Sequence, residues 1–377
     1  MKKILILLFT AALAVLLVSG ALAANLEIDS SGNTSVQGNL SVTGTISGDG
    51  SGVSNVDAAA LGGIWASSYL TQGESGGVDA NMIVNGAVTT DKIAAGAIIP
   101  DNIFFYSKVI IVAPSGGDFT SPVDALNSIT GNSSTNPYLV KLMPGIYDIG
   151  SNSVNMKSYV DIEGSGQSAT IIKGNVGVET AGVVNGANAY LRFLTVQNYG
   201  TGTWAIAVRT TTNLRMLEMN AECTGSAVNK AAIYATGTSS SPKIMKTVRF
   251  EVGGSGSTNC YGIYNTSHFR MREGSISVYC SSPATNYGIY NNTTTYNPYI
   301  RAMEITVSSG ATRYGLYNVS GTPKLEHSTV SGGAVTATGG TVYIGDTRLD
   351  GVSPGTGTLK CVEVYNSTFD ALGTDCQ

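Results

Sequence analysis

From Trp204 onward, short aliphatic and aromatic runs alternate with runs of Gly, Ser, Thr and Asn, and the apolar runs recur. The clearest is YGIYN at Tyr261, which returns as YGIYN at Tyr287 and as YGLYN at Tyr314. Aligning the central aliphatic residue gives Ile206, Ile233, Ile263, Ile289 and Leu316, at intervals of 27, 30, 26 and 27 residues. A second run follows each first one: KIMKTVRFEV from Lys243, RMREGSISV from Arg270, YIRAMEITV from Tyr299 and KLEHSTVSG from Lys324. Short runs rich in β-branched and aromatic residues, bounded by turn formers, predict strands. A repeat of roughly 20–50 residues predicts a solenoid. Like runs at like spacing point to rungs stacked in parallel register, an all-β parallel β-helix, rather than an antiparallel sandwich.

Period-two alternation sorts each run onto two faces. If Ile263, Ile289 and Leu316 face the coil interior, strict alternation turns Tyr261, Tyr287 and Tyr314 inward with them. It leaves Gly262, Gly288 and Gly315 outside, beside Tyr264, Tyr290 and Tyr317. Tyr234 extends that outer column by one rung. The column Tyr234, Tyr264, Tyr290 and Tyr317 is the candidate glycan-binding track, because aromatic rings with hydroxyl tips suit sugars. The competing reading is that like-on-like tyrosines only stabilise the stack. Asn265, Asn291 and Asn318 end each phrase at a corner, and stacked amides there predict a structural hydrogen-bonded ladder.

The chain changes character at Lys108. KVIIVAPSGGDFTSPVDALNSI opens with an apolar strand and continues through a Gly turn into a short helix. Ser121 stands at the N-cap, Pro122 at the first helical position, and Val123, Leu126 and Ile129 on one face. LVKLMPGIYDIG from Leu139 and YVDIEGSGQSATIIKG from Tyr159 follow. These segments resemble the opening rungs of the pectin lyase-like superfamily, most closely the N-terminal end of pectin methylesterases. The residues that carry the resemblance are Gly117-Asp118-Phe119, the turn Pro144-Gly145-Ile146-Tyr147, and the rung Ile162-Glu163-Gly164-Ser165-Gly166 with Thr170-Ile171-Ile172. The resemblance implies a right-handed parallel β-helix over residues 108–377, with the short helix capping its N-terminal end. It also implies, for an enzyme of this kind, paired Asp, or Asp with Arg or Lys, on the outside of one sheet. The methylesterase phrases Gln-Asp-Thr-Leu, Asp-Phe-Ile-Phe-Gly and Leu-Gly-Arg-Pro-Trp are absent, and no Asp occurs between Ser165 and Asp346.

Ahead of the repeats, Lys2 and Lys3 precede an apolar run from Ile4 to Val18 and the small-residue site Ala21-Leu22-Ala23. This pattern predicts a secretory signal peptide over residues 1–23, hence a secreted or surface location. An uncleaved membrane anchor is the alternative. Residues 24–107 form an extended low-complexity stalk rich in Gly, Ser and Thr. GTISGDGSGVSNV from Gly44, DAAALGGIWASSYL from Asp57 and NGAVTTDKIAAGAI from Asn85 resemble the shafts of phage tail fibres and bacterial surface fibres. That resemblance implies an elongated stalk able to form a homotrimer; a flexible linker is the competing reading.

Chemistry changes this picture little. The 377 residues carry a formal net charge of −4, with no linear Lys/Arg cluster beyond the N-terminus, which argues against nucleic acid as a partner. Two His and the Cys spacing fit no metal centre, and neither a metal nor a cofactor is expected. Of the five cysteines, Cys223, Cys260 and Cys280 are read as sharing one corner, where two of them bridge and one stays free. Cys361 and Cys376 are read as a staple for the C-terminal cap.

Glu218, Glu222, Glu251, Glu273, Glu304 and Glu326 lie near Arg215, Arg249, Arg270, Arg272 and Arg301, and read as solvated ion pairs, with Glu218, Arg249 and Glu304 in one outer column. No residue is singled out as catalytic. The expectation is a secreted or surface-exposed, non-catalytic, fibre- or adhesin-like β-helix that binds polysaccharide. The alternatives are a polysaccharide lyase, esterase or tailspike-like depolymerase, and a purely structural fibre or matrix protein.

Overall fold

The computed structural model describes residues 106–377 apart from 239 and 240, together with four short strands and residue 43 nearer the N-terminus. The chain divides into two compact units at Ala94/Ala95. In the first, Asn25–Ile28 pairs antiparallel with Thr34–Gln37, and Ala60–Leu61 with Ile64–Trp65. The signal segment 1–23 and most of the stalk lie outside the described residues. Among the described residues, no helix is long and apolar enough to cross a membrane.

The second unit is a parallel β-solenoid of about nine turns. A sixteen-stranded and a nine-stranded sheet enclose the core, and their named strands all pair in parallel. The entry helix, Pro122–Ser128, starts where the capping residues place it: Ser121 Oγ accepts from the Asp124 N–H at 3.3 Å, with Pro122 in the first turn. It packs against Lys108–Val112, Tyr138–Leu142 and Val154–Asn155, so Leu126 and Ile129 are buried over the first rung.

Parallel register sets like over like inside the coil. One buried column of the larger sheet runs without a break from Ile110 to Cys361, through Leu191, Met216, Met245, Met271 and Ile300. Along one edge of this column every rung from Leu191 onward bends at a residue in left-handed geometry. Phe193, Glu218, Thr247, Glu273, Ala302, His327, Asp346 and Glu363 have φ between 44° and 61°. Such backbone costs about 1 kcal/mol or more per non-Gly residue and persists where neighbouring structure over-determines it; here the strands on either side of the bend are held by the rungs above and below.

The nine-stranded sheet departs from strict alternation. In the strand Asn259–Asn265, Cys260, Ile263 and Asn265 face inward, while Tyr261 and Tyr264 share an outer aromatic cluster. Gly262 also faces inward: a Cβ there would lie 2.2 Å from Ile276 Cγ2 of the opposing sheet. Two consecutive inward residues therefore separate the two tyrosines. The same step recurs at Gly288-Ile289 and Gly315-Leu316, where a Cβ would meet Ile305 at 2.5 Å and Val330 at 2.1 Å. In the two preceding rungs the step reads Ala207-Val208 and Ala232-Ile233. The register slips between Tyr314 and Leu316 as the chain passes to Ala334 and Val335, and there the step ends.

This corrects the reading by alternation, which put the first tyrosines inside and the glycines outside. It also corrects the alignment at its first member. Val208, not Ile206, stacks on Ile233, and Ile206 faces outward against the aromatic cluster.

The glycines are required for space rather than for their backbone freedom. Gly288→Ala sets a methyl against Ile305 and the Gly315 carbonyl, so a loss of roughly 1–3 kcal/mol is expected, read as a lowered denaturant midpoint with an unchanged slope.

Candidate functional site

The inward step turns both tyrosines of each phrase to one side, so the sheet presents two parallel columns. Tyr261, Tyr287 and Tyr314 form one; Tyr234, Tyr264, Tyr290 and Tyr317 form the other. Rings within the second column stack at 4.7, 5.0 and 5.8 Å, with planes 6°, 10° and 14° apart. Rings of different columns meet edge to face at 86° for Tyr261/Tyr264 and for Tyr287/Tyr290, and tilted at 56° for Tyr314/Tyr317, where the step ends. Planes that repeat every ~4.8 Å yet touch at ~3.5 Å lean about 45° from the stacking axis, and two such columns at right angles make a herringbone.

Stacked rings give their faces largely to one another, and the outside receives ring edges and hydroxyls. The columns therefore present hydroxyls and ring edges rather than the open ring faces expected from the sequence. Trp204 closes one end, stacked on Tyr261 at 5.9 Å and edge-on to Tyr234 at 5.3 Å. At the same end Tyr234 donates to Glu179 Oε1 at 2.5 Å, and Arg209 lies 5.9 Å from the Tyr234 ring centroid. The hydroxyls of Tyr261, Tyr264, Tyr287, Tyr290, Tyr314 and Tyr317 make no hydrogen bond to a described residue. Burial pushes Tyr234, Tyr261, Tyr264 and Tyr290 above the ordinary tyrosine range and Tyr287 up to about 12. These hydroxyls are thus donors at neutral pH.

Beneath the second column lies an amide ladder. Asn265 Nδ2 donates to Asn291 Oδ1 at 2.8 Å, and Asn291 Nδ2 donates to Asn318 Oδ1 at 2.7 Å. Asn318 Nδ2 passes the chain on to the Gly339 carbonyl at 2.7 Å, and all three amides are fully buried. The ladder ties successive rungs where the tyrosines above need a constant spacing.

The cysteines divide differently from the shared corner expected. Cys223 and Cys280 end strands of the larger sheet, while Cys260 belongs to the smaller one. Cys260–Cys280 joins the two sheets, and Cys361–Cys376 staples the C-terminal segment, each closing a loop that constrains the unfolded chain by about 3 kcal/mol. Cys223 is a buried free thiol, pushed up to about 12 by burial.

Three charged constellations lie on the larger sheet. Near the N-terminal end Arg192 donates to Glu163 at 2.8 Å and to the Tyr106 hydroxyl at 2.9 Å. Lys141 donates to Glu163 at 2.8 Å, and Tyr106 donates to Asp161 at 2.6 Å. Burial would raise the Glu163 carboxyl, but the bonds from Lys141 and Arg192 hold it below its ordinary value. Both carboxylates are thus partnered inside a closed network.

Further along, Arg249 and Glu304 share a column two rungs apart, but Glu218 does not join them, because it occupies the left-handed bend. Three residues of that bend also come together toward the C-terminus. His327 Nε2 lies 3.4 Å from Asp346 Oδ2, and a hydrogen bond with Asp346 raises the Glu363 carboxyl. His327 and Asp346 are brought together only by the stacking of one rung on the next. Among the described residues, no group of His, Cys, Asp and Glu is arranged to hold a metal ion.

No protein-family model matches the chain, and no curated protein matches its sequence. Among solved structures it is similar to a pectin methylesterase from carrot, with 14% identity over 67% of this chain and 88% of that one and a TM-score of 0.45. It is similar to pectin methylesterase PemA from Erwinia chrysanthemi, with 11% identity over 72% and 92% and a TM-score of 0.46. It is also similar to ORF18 of Geobacillus virus E2, with 14% identity over 68% and 60% and a TM-score of 0.38. At these identities the likeness concerns the path of the chain, and the chemistry follows from the residues described above.

The tyrosine face carries a pH dependence of definite sign. A tyrosine raised on folding binds its proton more tightly in the folded state, so its contribution is intact below the unfolded value of about 10. That contribution is lost as pH rises through the folded value, about 12 for Tyr287. Stability is expected to fall steeply between these limits, with tyrosinate absorbance appearing together with loss of β-sheet circular dichroism rather than before it.

Proposed function

We propose that this chain is a secreted or surface-exposed solenoid that holds a carbohydrate polymer along its tyrosine face without cutting it. The observation that carries the reading is the double row of rings whose hydroxyls, that of Tyr234 apart, have no described hydrogen-bond partner. From Tyr234 to Tyr317 the row covers four rungs, or ~14 Å, and repeats every ~4.8 Å. A polymer of sugars offers hydroxyls and apolar ring edges at a comparable repeat, and tyrosine supplies both counterparts with little loss of rotamer freedom. The amide ladder and the paired columns keep the row rigid, which lowers the ordering cost of binding. Two disulfides fit the oxidising surroundings of an exported protein.

The test separates the hydroxyls from the stacking. In Tyr264→Phe/Tyr290→Phe/Tyr317→Phe the herringbone is kept and three hydroxyls are removed. At roughly 1 kcal/mol per hydrogen bond, affinity for a bound neutral glycan is expected to fall at least about tenfold, with an unchanged melting temperature. Full binding by this variant would make the tyrosines structural only. Release of reducing ends from the bound polymer would instead favour a depolymerase.

A further inference from the structure

The outer surface of the sixteen-stranded sheet carries a charge that the chain as a whole does not. The net charge is −4, yet two adjacent outward columns of this sheet are dominated by cations. One column contains Arg215, Arg270, Lys324 and Lys360, with Ile244 between the first two and Tyr299 and Tyr343 between the last three. The neighbouring column, two residues along each strand, brings Lys246, Arg272 and Arg301 onto successive rungs.

These side chains are exposed, and Arg215, Arg270, Arg272, Arg301, Lys324 and Lys360 form no ion pair with a described carboxylate. Lys246 reaches only Glu273, at 3.9 Å on the bend. On the same columns Glu326 accepts the Tyr299 hydroxyl at 2.7 Å, and Glu218 sits on the bend nearby. Lys324, Tyr343, Lys360 and Glu326 line a groove of about 740 Å³ at the C-terminal end of the stripe.

We propose that this stripe is a second binding surface, separate from the tyrosine face, for an anionic polysaccharide bearing sulfate or carboxylate groups. In the second column Lys246, Arg272 and Arg301 stack at ~4.8 Å and repel one another, while in the first the cations recur on alternate rungs, roughly 10 Å apart; a polymer of oxyanions laid over both columns relieves that repulsion. Four of the six unpaired cations are Arg, whose planar fork suits the oxygens of sulfate and carboxylate.

A single-stranded nucleic acid fits less well, because bases need open aromatic faces to stack on. Here the Arg215 guanidinium lies 5.0 Å from the Tyr190 ring centroid, and Lys360 Nζ lies 5.7 Å from that of Tyr343. Those faces are already occupied by cations. The disulfides also suit surroundings in which acidic glycans are the common polyanions.

The full-length protein is titrated at low and at high salt with dextran sulfate, a polyuronate, neutral dextran and a single-stranded oligonucleotide. Binding to at least one anionic polysaccharide is expected at low salt, with strong weakening at high salt; the preference between the two distinguishes sulfate from carboxylate. Arg270→Gln/Arg272→Gln/Lys324→Gln is expected to bind that polymer roughly tenfold or more weakly and to show a shallower salt dependence. Its melting temperature and any neutral-glycan binding by the tyrosine face stay unchanged, so failure of one surface is distinguishable from failure of the other. Wild-type affinity in the variant, no binding of either anionic polysaccharide, or tighter binding of the oligonucleotide would each overturn the proposal.

Discussion

Parallel, in-register stacking of one rung on the next is the constraint on which everything else in this solenoid depends. It converts a choice made once in the repeat into a column of identical choices, inside and out. Aliphatic residues become a continuous core column, Asn265, Asn291 and Asn318 become a buried amide ladder, and tyrosines become a herringbone. The same register also collects features that disfavour one another, such as left-handed residues at every bend and unpaired cations on neighbouring rungs. Stacking tolerates these because core burial and backbone pairing on both sides of each rung are large terms beside them.

Within that frame the Gly-aliphatic step decides what the surface offers. By placing Gly262 and Ile263 inward together it brings Tyr261 and Tyr264 out on one side, where they meet edge to face. Asn265 then turns inward beneath them, so the ladder that fixes rung spacing and the row of hydroxyls that uses it are adjacent in the same strand. The basic stripe lies on the other sheet and owes nothing to this step, which is why the two surfaces can be perturbed independently.

Much of the architecture was legible because it rests on local chemistry. The recurring phrase marked the rungs, Ser121-Pro122 marked the start of the helix, and the Asn at the end of each phrase marked the ladder. What was not legible depends on partners from other strands. Alternation misplaced Tyr261 because the reason for two inward residues is the room left by Ile276, Ile305 and Val330 on the opposing sheet. The bend residues share no type, since backbone pairing rather than side-chain chemistry holds Phe193, Thr247 and Ala302 in the same conformation. Cys260 was set beside Cys280 at one corner, whereas it reaches it from the other sheet. Arg270, Arg301, Lys324 and Lys360 stand far apart in sequence and form a stripe only after stacking.

The inward step is tested by single cysteines placed in the full chain and exposed to a bulky maleimide under native conditions. The native free thiol Cys223 is buried and gives little background. Tyr287→Cys and Tyr290→Cys are expected to label at comparable rates, and Ile289→Cys only after unfolding, since residue 289 lies in the core. Protection of Tyr287→Cys equal to that of Ile289→Cys would mean that the strand alternates without the step, and the double tyrosine face would not exist.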